Sequence, residues 1–284
     1  MDAWPMEAWI RLGAFFAIFA VMALWEVAAP CRALTQSKTK RWTANLGMLL
    51  VDALAVRLTL GAAAYAMAIH AEAAGWGLLN ILDWPRWVEI TAAIVFLDFA
   101  IYLQHVLSHA LPIFWRLHQV HHSDMDFDTT TAIRFHPIEI LVSLVFKVGL
   151  VAAIGADPLA VLLFETILNG TALFNHGNVR LPAKLEHGLR FLLVTPGMHR
   201  VHHSTDATET NRNFGFALSI WDCLCGTYQQ APAKGHLGME IGLNAYRNFS
   251  RLGLGNLLLL PFRKKVVENR LESRNNPDRR SQPS

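Results

Sequence analysis

The chain has 284 residues, of which 53% are hydrophobic and 17% are charged, and its formal net charge is +3. A charged fraction well below the ~25% of soluble domains favours a membrane protein. The cysteines, Cys31, Cys223 and Cys225, form no CxxC pair, and the basic residues form no stripe interleaved with aromatics. These patterns argue against a disulfide scaffold, a zinc ribbon and a nucleic-acid partner.

Three apolar stretches, residues 9–29, 45–70 and 87–111, are long enough to cross a hydrocarbon core of about 30 Å as helices. Asp2 and Glu7 stand where a cleaved signal peptide would carry positive charge, so we interpret the first stretch as a spanning helix. Residues 1–111 are therefore predicted to be a transmembrane part that leads into the first of several histidine motifs.

A fourth apolar region, residues 138–174, is interrupted by "GADP" at residues 155–158. Glycine and proline at such a point predict two helices of roughly eighteen residues joined by a tight turn. Both ends of this hairpin then lie on the same side of the membrane. We assign residues 112–250 to a histidine-rich catalytic region that contains the hairpin, and residues 251–284 to an amphipathic segment and a charged, solvated tail.

The loop between the first two predicted spans carries four basic residues, Arg32, Lys38, Lys40 and Arg41. The positive-inside rule places this loop in the cytoplasm, so the third span runs inward. We expect an all-α, polytopic protein of the cell inner membrane: about three spans, the hairpin and a histidine-rich helical cap on the cytoplasmic face. The sequence does not indicate an oligomeric state.

Two five-residue stretches share a pattern: "HQVHH" at residues 118–122 and "HRVHH" at residues 199–203. On a helix, residues three and four apart share a face, so each HxxHH predicts a face of three imidazoles. His105 and His109 form a further pair at i, i+4, and His176 follows the hairpin. Nine histidines exceed the four ligands of one zinc ion and suit two ions, although imidazole alone does not select iron, copper, zinc or nickel.

The boxes HxxxH, HxxHH, a single histidine and HxxHH resemble those of the fatty acid hydroxylase superfamily, from about residue 93 to 228. The stretch after the last box, "NRNFGFALSIWDCLCGTY", is similar to sterol desaturase-like and alkylglycerol monooxygenase-type members. The resemblance implies a non-haem di-iron centre that uses O2 and electrons on a C–H bond of a lipid. It implies nine ligands: His105, His109, His118, His121, His122, His176, His199, His202 and His203.

Many relatives have another histidine near the third box, where this chain has Arg180. His136 and His187 are the candidates for a tenth ligand, and His136 is also a candidate for a role beside the ligands. We found no flavin, nicotinamide or cytochrome module, so electrons are expected from an external reductase, ferredoxin or cytochrome.

Asp98, Tyr102, His105 and His109 follow one another at steps of four, three and four on one face of the third span. An acid within an apolar span is energetically costly, so it indicates a function or a polar partner. Asp98 either lies beside the ligands or the substrate path, with Tyr102 on the same face, or makes a polar contact between helices. Glu165 in the hairpin raises the same question.

The sequence thus predicts an O2-dependent hydroxylase or desaturase of an acyl, alkylglycerol or sterol-like lipid. The alternative is a membrane protein that binds or transports metal without redox catalysis. A transporter should hold its ligands near mid-membrane in broken helices, whereas only His105 and His109 lie on a predicted span, at its end. A zinc hydrolase would leave most of the histidines unused.

Overall fold

The computed structural model describes residues 6–248 and 252–263, which form helices and connecting loops with only isolated β-bridges between them. The longer helices are α1 Met6–Ala28, α2 Lys38–Thr59, α3 Ala63–Ala74, α4 Arg86–Ala110, α5 Pro112–His122, α6 Pro137–Ile154 and α7 Pro158–Asn175. The short ones are α8 Ala183–Leu189, α9 Pro196–His202, α10 Ala207–Thr210, α11 Ile220–Leu224, α12 Gly235–Gly238 and α13 Leu254–Leu259. Most of the predicted tail, from residue 264 onward, lies outside the described residues.

Five stretches of the described chain are long and apolar enough to cross a membrane: Met6–Ala28, Lys38–Ala74, Arg86–Ala110, Pro137–Ile154 and Pro158–Asn175. Large apolar side chains on their surface, such as Leu24 and Leu58, are exposed, which suits contact with lipid. These stretches correspond to the three predicted spans and the hairpin, so the predicted all-α, polytopic architecture is confirmed.

The second predicted span is not one helix, because the chain breaks between α2 and α3. Gly61 has a left-handed φ of 54°, a conformation that glycine adopts without steric cost. The backbone amides of Leu60 and Gly61 both donate to the carbonyl of Val56, as they do at a helix end. The predicted span over residues 45–70 therefore lies within one apolar stretch, Lys38–Ala74, that consists of the two helices α2 and α3.

The hairpin of α6 and α7 turns at the predicted "GADP". Gly155 has φ 66° and ends α6, while the Asp157 side chain accepts a hydrogen bond from the Leu159 amide and begins α7. Gly77, in the loop after α3, passes so close that a Cβ on it would lie 2.1 Å from the Gly155 nitrogen. This packing fixes the turn against the loop between α3 and α4, at the end of the bundle opposite the histidines.

Small side chains let the spanning helices approach closely where the hairpin meets α3 and α4. Ala64 and Ala68 of α3, Ala93 of α4 and Ala160 of α7 are all buried in one cluster with Phe164. Within a bilayer, apolar burial alone does not drive helices together, and close packing of small residues contributes much of the attraction. The alanine-rich composition of α3 thereby positions α4, which carries two histidines.

Glu165 of α7 is an ion-pair partner rather than a residue of the histidine region. Its carboxylate accepts from Lys147 of α6 and from Arg11 of α1. Charged residues inside spanning segments pair with one another because an unpaired charge in hydrocarbon is costly. Glu165 therefore links three spanning helices.

We call residues 112–136, 176–248 and 252–263 the cap. A buried polar network joins it to α2: the Arg41 guanidinium donates to Asp124 at 2.8 Å and to Asp128 at 2.5 Å. Arg134 bonds Asn45 of α2 at 2.9 Å in the same network. Burial alone raises the pKa of Asp124, but Arg41 and Arg134 outweigh this and hold that pKa below its ordinary value.

This network corrects one part of the sequence-based argument on orientation. Arg41 is fully buried and paired with acids, so it is not a free positive charge of the first loop. The same loop packs on the cap, because the backbone amides of Thr35 and Gln36 donate to Asp126. Arg32, Lys38 and Lys40 therefore lie on the same side of the bundle as the cap.

Replacing Arg41 should destabilise the protein strongly. Arg41→Ala leaves two buried carboxylates without their cation, which typically costs about 3–5 kcal/mol. The adjacent Lys40 is exposed, so Lys40→Ala is a matched control that should change stability by less than about 0.5 kcal/mol. Thermal unfolding of both variants in detergent measures the difference, and equal unfolding temperatures would contradict the proposed anchoring.

Candidate metal centre

Nine histidines from four parts of the chain lie together where the spanning helices meet the cap. His105 and His109 come from the last turns of α4, and His176 follows the last residue of α7. The remaining six come from α5 and from α9 with the residue after it: His118, His121, His122, His199, His202 and His203. Each of the nine is at most 3% exposed, so water is excluded from their imidazoles.

The ligand atoms form two groups, and within each group they all lie within 4.8 Å of one another. The first group contains His105, His109, His118, His122 and His202. The second contains His121, His176, His199 and His203. Groups of five and four nitrogen donors are each large enough to hold a metal ion.

Each HxxHH box is divided between the two groups, which the sequence-based interpretation of each box as one three-imidazole face did not predict. On α5, His118 and His122 belong to the first group and His121 to the second. Neighbouring residues on a helix point about 100° apart, so His121 and His122 diverge. On α9 the division is reversed, because His202 joins the first group while His199 and His203 join the second.

Within each group, pairs of Nε2 atoms face one another. His105 faces His118 at 3.1 Å, and His109 faces His122 at 3.1 Å. His176 lies 3.1 Å from both His121 and His199. Metal–imidazole bonds of about 2.0–2.1 Å put adjacent ligand nitrogens about 3 Å apart, so these separations fit ligands around a shared ion.

Most imidazoles of the first group are held through their other nitrogen. The Nδ1–H groups of His105 and His202 donate to the carbonyls of Phe214 and Arg212, at 2.7 and 2.8 Å. His118 Nδ1 bonds Glu139 Oε1 at 2.6 Å, the orienting contact that carboxylates provide to metal-bound histidines. A proton on Nδ1 leaves the lone pair on Nε2, which faces the group.

The second group is held differently. His176 donates to the Ala172 carbonyl at 2.8 Å, whereas Nδ1 of His121, His199 and His203 is buried with no hydrogen-bond partner among the described residues. Burial, reinforced by neighbouring imidazoles, lowers the pKa of these three histidines well below its ordinary value. They are therefore neutral at physiological pH, which is the protonation state that binds metal.

Comparison with known proteins identifies the segment that contains these histidines. Residues 90–227, from the second turn of α4 to Thr227, match the family model for fatty acid hydroxylase. This segment of the chain belongs to the fatty acid hydroxylase superfamily. The matched segment, which we call the hydroxylase domain, contains all nine histidines and nearly coincides with residues 93–228, in which the sequence resembles this superfamily. Together with the apolar helices, this family makes the chain an integral membrane protein.

Relatives of the hydroxylase domain are named for oxygen chemistry on lipids. The chain is 34% identical over 155 residues to ornithine lipid hydroxylase OlsE of Rhizobium tropici, covering 53% of this chain and 44% of that protein. It is 29% identical over 170 residues to the Homo sapiens alkylglycerol monooxygenase, covering 58% and 36%. It is 25% identical over 147 residues to the Rattus norvegicus cholesterol 25-hydroxylase, covering 51% and 48%. The match thus spans less than half of each relative, and no solved structure matches the chain significantly.

Asp98 lies on α4, before His105 and His109, and contacts the first turn of α11 and the loop before it. Its carboxylate accepts from Trp221 Nε1 at 2.8 Å and from the Leu218 amide at 3.1 Å. Of the two interpretations left open by the sequence, this geometry favours the polar contact between elements. Tyr102, one turn further along α4, bonds Thr227 at 2.9 Å, so it also faces the loop that follows the last box.

This loop leads back to the first group of histidines. Asp222 accepts from Thr227 at 2.7 Å and from the Phe214 amide at 2.8 Å, and the Phe214 carbonyl is the acceptor for His105. Asp222 therefore acts through the backbone: it fixes the loop whose Phe214 carbonyl orients His105.

The two candidates for a tenth ligand lie outside both groups. His136 begins α6, where its Nδ1 accepts from the Ile138 amide at 3.2 Å and its Nε2 donates to the Leu258 carbonyl at 3.2 Å. His187 is exposed on α8 and packs against Phe191. Glu139, by contrast, was missed by the sequence analysis, and its only signal was an acid in the first turn of the helix that follows "FHP".

Removal of the Asp98 carboxylate distinguishes a positioning contact from a role at the metal. Asp98→Ala leaves the partly buried Trp221 and Leu218 donors without an acceptor, at a cost of about 1–3 kcal/mol. We expect a lower unfolding temperature with the metal content unchanged, measured by elemental analysis of the purified variant. The exposed Asp83→Ala is the control, and loss of metal at unchanged stability would contradict this interpretation.

Proposed function

We propose that the chain is a membrane-bound, non-haem di-iron oxygenase that hydroxylates or desaturates a lipid. The observation that carries this proposal is the pair of buried all-histidine groups within a hydroxylase domain. The lipid carries a fatty acyl, alkylglycerol or sterol-like chain, in keeping with the names of the relatives. O2 is the co-substrate, and a reductase, ferredoxin or cytochrome supplies the electrons.

The first group of five histidines would hold one iron ion and the second group of four the other. When bound, the two ions supply the oxygen activation needed to attack an unactivated C–H bond. Imidazole alone does not select iron, so the choice of metal rests on the family. Two pairs of facing Nε2 atoms in the first group and two in the second support this division of ligands.

The protein positions the imidazoles of the two groups and excludes water from them. Glu139 holds the proton on Nδ1 of His118, so that Nε2 presents its lone pair. Aromatic rings cover the groups: Phe135 stacks on His121 at 4.4 Å between ring centroids, and Phe216 lies 5.0 Å from His105. An apolar, dry surrounding of this kind suits a hydrocarbon chain and protects a reactive oxidant from solvent.

We further propose that the cap faces the cytoplasm from the inner membrane. Arg32, Lys38 and Lys40 lie on the cap side of the bundle, whereas at the start of α4 Arg86 is accompanied by Asp83 in the loop before it. The excess of basic residues near the cap supports this orientation even with Arg41 excluded from the count.

The activity is tested by oxygen consumption coupled to a lipid product. Lipid mass spectrometry of a deletion strain against wild type identifies the substrate, and the purified protein is then supplied with that lipid, iron and a reductant. We expect His199→Ala to reduce product formation by more than about 100-fold, because it removes a ligand. The exposed His187→Ala is the control and should retain activity. Metal uptake without oxygen consumption would instead support the metal-binding or transport alternative.

Glu139→Gln tests how the carboxylate supports the first group. The amide keeps the shape of the side chain but removes the charge that stabilises His118, so metal affinity should fall by about 10–100-fold. Competition with a calibrated chelator measures this affinity. Glu240→Gln neutralises an exposed acid of the cap and should leave the affinity unchanged. Equal affinities for all three proteins would show that Glu139 does not act on the metal.

A further inference from the structure

The cap surface contains a cleft that the histidine centre does not use. It consists of a cavity of about 440 Å³ and a second of about 170 Å³, which share Glu186 and His236 as lining residues. Arg190 lines the larger cavity, and Arg180 and Arg200 line the smaller one. We call the site formed by these five residues the arginine cleft.

The arginine cleft carries excess positive charge. Among its described lining residues, Glu186 is the single carboxylate, against three arginines. One oxygen of Glu186 is already occupied, since it accepts from Arg190 at 2.6 Å and from Thr195 at 3.1 Å. Arg180 and Arg200 form no ion pair with any described acid, so the cleft lacks the negative charge that would balance it.

Arg200 is the most unusual of these residues because it is 1% exposed. Its guanidinium donates to the Cys31 sulfur and to the Gly177 carbonyl, both at 3.3 Å, and lies over the Phe127 ring; none of its described hydrogen-bond partners is a carboxylate. Its Nε is buried without a partner among the described residues, as are Arg190 Nε and His236 Nδ1. A buried cation without an anion is costly, so two unpartnered guanidinium nitrogens and one unpartnered imidazole nitrogen around one cleft indicate a missing hydrogen-bonding ligand.

The rim of the arginine cleft is apolar and faces outward. Phe191 is 76% exposed and Leu237 65%, and each lines one of the two cavities. Leu185 on α8 is also exposed. Exposed apolar side chains beside clustered arginines are typical of surfaces that bind anionic lipid headgroups at the membrane interface.

We propose that the arginine cleft binds an oxyanion, a phosphate or carboxylate group, with Arg180 and Arg200 as charged donors and His236 as an additional donor. The apolar rim favours an anionic lipid as the source of this group, and a soluble phosphate ester shares the same chemistry. The arginine cleft shares no lining residue with the histidine groups, although Arg200 lies on α9 beside His199. The proposal therefore does not depend on the reaction proposed above.

The test uses the full chain in detergent with inorganic phosphate as the probe. The unfolding temperature is followed against phosphate concentration, at constant ionic strength maintained with chloride. We expect a saturable rise, because a ligand that binds the folded state stabilises it. Arg180→Gln should raise the half-saturating phosphate concentration by about tenfold, the effect of losing one charge-assisted hydrogen bond, and Arg180→Lys should restore part of the binding.

Arg180 is exposed and forms no ion pair with a described residue, so its variants should fold. Lys40→Gln removes one exposed positive charge on α2 and is the matched control. His236→Ala provides a second variant within the cleft and should also weaken the response. The proposal is overturned if phosphate stabilises no more than chloride, or if Lys40→Gln weakens the response as much as Arg180→Gln.

Reconstitution distinguishes the two sources of the oxyanion. The protein is placed in phosphatidylcholine nanodiscs with and without phosphatidic acid. Stabilisation by phosphatidic acid that disappears in Arg180→Gln, together with loss of the response to added phosphate, supports a lipid headgroup. An Arg180-dependent phosphate response that phosphatidic acid leaves unchanged supports a soluble anion.

Discussion

The hydroxylase domain depends on one constraint, which is how α5 faces α9 and the residue after it, His203. Each HxxHH box contributes an i, i+4 pair to one group of histidines and its remaining histidine to the other. This exchange requires the two helical segments to face each other at a fixed rotation, since a shift of one residue turns a helix by about 100°. The histidines of α4 and the hairpin then complete the first and second groups respectively.

Many of the contacts around the histidines serve to maintain that rotation. The hairpin brings His176 to the second group and places Glu139 against His118. Arg41 ties α2 to the chain that follows α5, and Asp98 ties α4 to the chain that follows α9. Buried polar contacts of this kind define one geometry, because each alternative would leave donors or carboxylates unsatisfied. The imidazoles are thus positioned by hydrogen bonds and ion pairs of residues that surround the two groups.

Much of this could be predicted from the sequence because membrane spans and histidine boxes are local patterns. The apolar stretches, the turn at "GADP" and the nine histidines required no knowledge of tertiary contacts. The division of each box between two groups could not be predicted, because it depends on how α5 and α9 face each other across a long separation in sequence. Arg41 was misjudged for a similar reason: its acidic partners, Asp124 and Asp128, lie more than eighty residues further along the chain.

The residues that support the histidines were harder to find than the histidines themselves. Glu139 is one acid among 22 acidic residues, and no spacing rule relates it to His118. Two of the supporting contacts come from backbone carbonyls, at Phe214 and Arg212, which carry no signal in the side-chain sequence. Only the positive φ of Asn213, at 53°, marks the tightness of this loop, and asparagine tolerates that conformation.

The hairpin of α6 and α7 acts as a molecular ruler. It carries Glu139 in the first turn of one helix and His176 just beyond the end of the other, and its turn is fixed where Gly155 packs against Gly77. A residue inserted between the turn and His176 would rotate that imidazole by about 100° and displace it by about 1.5 Å. The length of the hairpin helices therefore determines the geometry of the centre as much as the histidines do. Two chains with the same histidine boxes but different hairpin lengths would not form the same site.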